Sequence, residues 1–154
     1  MKENVLNISN NLFFKWALGL SLLSIALYIL DDPRVAPNGG TWLGYTLGTI
    51  GALTIVFLTL FGVRKRSYRS NLGDLKYWLS AHVWLGLALV VIATLHTGFQ
   101  FGWNVHTLAY VLTMLVVISG IWGVYMYLRF PSLMSELLNS KTLIQQGEAL
   151  IEID

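Results

Sequence analysis

The feature that most constrains this chain is the grouping of its charged residues between long uncharged stretches. Between Lys76 and Arg129 no Asp, Glu, Lys or Arg occurs. A helix needs about 20 mostly apolar residues to cross the hydrocarbon core of a bilayer. Windows of that length predict four spans, at about residues 11–30, 41–62, 77–97 and 105–128. The predicted fold class is all-α, an integral membrane four-helix bundle with the lipid bilayer as its solvent.

The composition limits the partners and cofactors that such a protein can use. Only 12% of the 154 residues are charged, against roughly 25% in an ordinary globular domain. The net charge of +2 comes with basic residues clustered in one loop, which argues against a nucleic-acid partner. The absence of cysteine excludes disulfides, iron–sulfur clusters, thiolate zinc sites and covalently attached haem. A cofactor would therefore be held by histidine or by a less usual ligand.

One basic loop predicts the topology. It holds five basic residues and one acid, and its basic members are Arg64, Lys65, Arg66, Arg69 and Lys76. Because such loops face the cytoplasm, we expect this loop and both termini to be cytoplasmic. Residues 1–131 then form the transmembrane domain and residues 132–154 a cytoplasmic helical tail. The expected location is the inner (cell) membrane of a bacterium, crossed several times.

Glycines occur at helical spacing along the second span. Gly44, Gly48 and Gly51 are four and three residues apart. Small residues at such steps let another helix, or a flat ligand, approach the backbone closely. Close helix packing is the favoured interpretation, and a cofactor role is the alternative.

Two histidines on the third span indicate a cofactor. His82 and His96 are 14 residues apart, and a helix turns through about 40° net over that distance, so both rings leave the same face. Gly86 and Ala93 lie between them on that face and leave room for the edge of a macrocycle. The rise is roughly 21 Å, which places one ring near each leaflet. The two histidines would therefore bind two different irons.

A third histidine follows the short turn after the third span. We expect His106 to lie at about the depth of His96, and an iron between these levels would be six-coordinate and suited to electron transfer. Gly120 lies 14 residues after His106 and is expected at the level of His82. Glycine thus occupies the position where a fourth histidine would complete a second pair.

The stretch from Trp78 to Pro131 resembles the membrane cytochrome b domains of the cytochrome b561 and ferric-reductase-like superfamily. The resemblance rests on His82, His96 and His106, followed by Ser119-Gly120-Ile121-Trp122-Gly123 and Arg129-Phe130-Pro131. It implies haem b, one or two per chain, with the three histidines at ligand positions. A full dihaem set in that superfamily needs four histidines. The missing axial ligand would come from another helix, another copy or another subunit.

The resemblance implies an electron-transfer subunit of an oxidoreductase complex, passing electrons between the quinone pool and a partner redox subunit. No nucleotide-binding fingerprint follows the last span, so we expect other subunits to supply the electron donor or acceptor and do not expect a stand-alone enzyme. Two alternatives remain open. The first is a structural or assembly subunit whose histidines brace helices. The second is a pigment-binding subunit in which single histidines ligate chlorophyll-type magnesium.

Overall fold

Four helices make up most of the chain. The computed structural model describes residues 10–31, 38–67 and 73–151. In these ranges no strand occurs, and the helices are α1 Leu12–Leu30, α2 Trp42–Arg66, α3 Leu75–Thr97 and α4 Val105–Ile151. Each helix is long and apolar enough to cross a membrane. The predicted all-α, multi-pass membrane architecture is confirmed, and the cytoplasmic location of the termini stays a prediction.

Local signals in the sequence set the helix ends. The Thr41 hydroxyl accepts a hydrogen bond of 3.1 Å from the Gly44 N–H and caps the start of α2. The Asn104 side chain accepts one of 2.8 Å from the Thr107 N–H in the first turn of α4. At the end of α3, Gly98 has a φ of 57°, a left-handed conformation that glycine adopts without the penalty of a Cβ.

α3 is the central helix of the packed region, with α1 and α2 against it. The best-buried apolar side chains are Ile92 on α3, with 0% of its surface exposed, and Leu47 on α2, with 1% exposed. A Cβ added to Gly51 would lie 3.6 Å from Ile92 and 3.7 Å from Leu89, which is ordinary van der Waals contact. α2 therefore packs against α3 at Gly51, where the spacing would also admit an alanine.

The chain divides into two units, Met1–Val117 and Ile118–Asp154. Within the first unit, the opening turns of α4 meet α3 through a hydrogen bond of 3.0 Å between the Tyr110 hydroxyl and Thr94 Oγ1. The second unit is helical through Ile151, and its helix continues past Pro131. The predicted boundary between membrane domain and tail, at residue 131, lies inside this continuous helix.

Arg64 joins the two described ends of the basic loop. Its guanidinium donates hydrogen bonds to the carbonyl oxygens of Ser67, at 3.0 Å, and Gly73, at 2.7 Å. The end of α2 is thereby tied to the residues just before α3. Arg69, one of the predicted topology signals, lies outside the described residues.

Candidate functional site

His96 lies in the last turn of α3 and is half-buried against the start of α2. Its Nδ1 is 2.8 Å from the carbonyl oxygen of Gly44. A carbonyl oxygen can only accept a hydrogen bond, so Nδ1 carries the proton and donates it. In a neutral ring, Nε2 then keeps its lone pair. His96 is therefore in the tautomer that a metal ligand bound through Nε2 requires.

Two glycines lie against the His96 ring, and we call Gly39 and Gly48 the glycine cradle. A Cβ added at Gly48 would lie 2.7 Å from Cε1 and 2.9 Å from Nδ1 of His96. A Cβ at Gly39 would lie 3.2 Å from Cε1. Real Cβ atoms essentially never approach as closely as the Gly48 position would. The ring occupies space that exists because these residues have no side chains.

His82 is half-buried near the start of α3 and also contacts α2. Its Nδ1 is 3.2 Å from the carbonyl oxygen of Leu58, so this ring has the same tautomer as His96 by the same argument. The Phe61 ring packs beside it, with centroids 4.9 Å apart and an angle of 39° between the ring planes. The His82 ring therefore has an aromatic neighbour, whereas the His96 ring has glycines beside it.

The two histidines contact α2 in one register. Gly44 and Leu58 are 14 residues apart, as are His82 and His96. Because α2 and α3 are consecutive and antiparallel, one step along α3 matches one step back along α2. The prediction that both rings leave the same face of α3 is confirmed, and that face is directed at α2. The structure thus holds two imidazoles of like orientation about four helical turns apart.

The remaining predicted site residues do not join this arrangement in the described contacts. His106 is the second residue of α4 and its side chain is exposed. Among the described residues, nothing lies within 4 Å of a Cβ added at Gly86, and Ala93 is half-buried. Gly120 belongs to the second unit, Ile118–Asp154. Its expected position level with His82 stays a prediction.

The contact between α3 and α4 lies away from His96. Thr94 faces Tyr110 of α4, and it precedes His96 by two residues, which corresponds to a rotation of about 200° around the helix. His96 is directed at α2 from nearly the opposite side of α3. The described contacts therefore do not bring His106 beside His96. Over the described ranges, no three His, Asp or Glu side chains converge as metal ligands.

The sequence did not reveal the partners of the histidine rings. Leu58 and Gly44 contribute backbone carbonyls, which every residue has, so no residue type marks them. Gly44 and Gly48 did stand out, although as packing residues and without a link to His96. The available signal was the equal spacing of 14 residues between Gly44 and Leu58 on α2 and between His82 and His96 on the antiparallel α3.

Comparison with known proteins adds no identification. No family model, no curated protein and no solved structure matches this chain.

Proposed function

We propose that this chain is a haem b-binding membrane subunit that transfers electrons across or at the membrane, and that His82 and His96 would hold the iron through Nε2. The observation that supports it best is the pair of Nδ1–H donations to the carbonyls of Leu58 and Gly44. Metal-binding histidines almost always donate their other ring N–H to a carboxylate, a carbonyl or water, which fixes the tautomer and orients the ring. Each of the two rings donates Nδ1–H to a backbone carbonyl in this way.

The residues around His96 hold its imidazole in one orientation. Nε2 lies 3.5 Å from the place of a Cβ at Gly39 and 3.4 Å from the place of one at Gly48, so the glycine cradle keeps side chains away from these two sides of the ring. Ionisable groups inside a membrane are costly and usually serve a function. Haem iron bound at these rings would supply one-electron transfer. The chain itself would orient the rings, and it would keep them at two depths of the bilayer.

The ligand set also requires a contribution that the described contacts do not supply. His82 and His96 each offer one nitrogen, and a six-coordinate haem needs two axial ligands. We propose that the second ligands come from another helix of this chain, such as His106 of α4, from a second copy or from another subunit. The same partners would carry electrons to or from the chain, with the quinone pool as the other end of the path. The resemblance to cytochrome b561 and ferric-reductase-like domains supports this scheme as an analogy.

A structural role is the second candidate, and the close approach of His96 to α2 favours it. A hydrogen bond of 2.8 Å to the Gly44 carbonyl braces α3 against α2 whether or not a metal is present. On this hypothesis the chain is an assembly subunit without a cofactor. A chlorophyll-type pigment would need only one imidazole per magnesium, and it would be recognised by its absorption spectrum.

Pyridine haemochrome spectra of the purified protein, with single variants, test the proposal. We expect a b-type spectrum in the wild type and loss of haem in His82→Gln and His96→Gln. The glutamine amide can still donate to the α2 carbonyl, so the bracing contact is retained while the ligand nitrogen is removed. Thr46→Gln is the control, because Thr46 is exposed and its hydroxyl donates to the Trp42 carbonyl of its own helix. A wild-type protein without a b-type spectrum would refute the proposal, and a chlorin spectrum would favour the pigment alternative.

A further inference from the structure

The two histidines have different neighbours at equivalent positions of α2. His96 donates to the Gly44 carbonyl, and Gly48 follows four residues later. Translated by 14 residues, the same relation links His82, Leu58 and Gly62. A Cβ at Gly62 meets nothing within 4 Å in the described part of the chain, whereas one at Gly48 would lie 2.7 Å from His96 Cε1. The His96 ring therefore requires glycine at position 48, whereas the His82 ring does not require glycine at position 62.

We propose that Gly48 is the positioning residue of His96. Without a side chain there, the imidazole lies against α2, donates Nδ1–H to Gly44 and keeps the lone pair on Nε2. The tautomer part of this inference stands on the protein alone. Its consequence for a bound metal rests on the proposed function.

Steric overlap predicts how a side chain at Gly48 would displace the His96 ring. A methyl group at Gly48 would lie 2.9 Å from Nδ1 as well as 2.7 Å from Cε1, and both atoms belong to a rigid ring. The ring would have to swing away from α2, and the hydrogen bond to the Gly44 carbonyl would lengthen or break. Once that bond is lost, nothing selects the Nδ1–H tautomer. A weaker bond at Nδ1 also makes the imidazole a less basic ligand, which destabilises the oxidised iron.

The test is nitrogen-15 NMR of the histidine rings in the full-length, haem-free protein in detergent micelles. The chain has three histidines, so the ring signals can be assigned with His→Gln variants. We expect a single Nδ1–H tautomer for His96 in the wild type and a mixture of tautomers in Gly48→Ala. Gly62→Ala is the matched control and should leave the His82 and His96 tautomers unchanged.

A graded variant keeps the test decisive if Gly48→Ala does not fold. Gly39→Ala places its Cβ 3.2 Å from Cε1, a smaller overlap, so we expect a smaller shift of the tautomer population. Far-UV circular dichroism decides which variant is used. Equal tautomer populations in Gly62→Ala and the folded cradle variant would overturn the inference.

A second readout addresses the metal. In haem-loaded protein we expect the midpoint potential of the haem at His96 to move to a more positive value in Gly48→Ala, with no shift in Gly62→Ala. An unshifted potential in both variants would overturn the link from Gly48 to the metal. If no variant binds haem, the proposed function fails, while the tautomer comparison still decides the role of Gly48.

Discussion

The hydrogen bond between Thr94 and Tyr110 yields a quantitative prediction about how α4 is attached to α3. Thr94 Oγ1 donates to the Val90 carbonyl at 2.7 Å and lies 3.0 Å from the Tyr110 hydroxyl. Since its single proton is used within α3, Thr94 accepts the proton of Tyr110. Tyr110→Phe and Thr94→Val remove the two partners and nearly preserve their shapes.

The expected magnitude is modest. Side-chain hydrogen bonds between membrane helices measured by double-mutant cycles average about 0.6 kcal/mol and reach about 1.7 kcal/mol. Both side chains here are half-buried, and Thr94 keeps its bond to Val90 when Tyr110 is replaced. We therefore expect a coupling energy of about 0.6 kcal/mol, with Thr94→Val alone costing more than Tyr110→Phe because it leaves the tyrosine hydroxyl without this acceptor.

The assay is reversible unfolding of the wild type, both single variants and the double variant in mixed micelles. Thr54→Val combined with Tyr110→Phe is the matched control, because the Thr54 hydroxyl bonds within its own helix, to the Ile50 carbonyl at 2.8 Å. That pair should be additive. A Thr94–Tyr110 coupling indistinguishable from the control would refute the conclusion that this bond fastens α4 to α3.

Two further predictions concern the packed core and the topology. Ile92→Ala should destabilise the protein by about 2–5 kcal/mol, because it empties the completely buried centre of the α2–α3 contact; denaturant unfolding measures this, with Leu53→Ala, 65% exposed, as the near-neutral control. The chain lacks cysteine, so single cysteines can report the side of the membrane. An impermeant maleimide should label Trp103→Cys from outside the cell and Arg66→Cys only after permeabilisation, and the reverse pattern would invert the proposed topology.

The spans were predictable because the bilayer imposes a simple rule on composition. About 20 uncharged, mostly apolar residues satisfy it. Each predicted span corresponds to one observed helix, and the predicted and observed first residues differ by at most two positions. The common face of His82 and His96 was equally accessible, since it follows from helical periodicity alone. Neither inference needs to know which helix packs where.

The neighbours of the histidines could not be predicted in the same way. Phe61 is one of seven phenylalanines and its place beside His82 depends on the register of α2 against α3. The 200° between Thr94 and His96 was calculable, but Thr94 gains significance only through its contact with Tyr110. The expectation that His106 would share an iron with His96 depended on hairpin length, which sets depth and leaves open which face of α3 meets α4.

The location of the missing axial ligand can be tested through the same hydrogen bond. His106 and Tyr110 are four residues apart and share a face of α4, and the Tyr110 hydroxyl bonds to Thr94 on the side of α3 away from His96. For His106 of the same chain to reach an iron on His96, α4 would have to move around α3 and break the bond to Thr94. A ligand from a second copy or another subunit would leave the bond intact. The Thr94–Tyr110 coupling should therefore vanish on haem binding in the first case and persist in the second, so measuring it with and without haem separates the two.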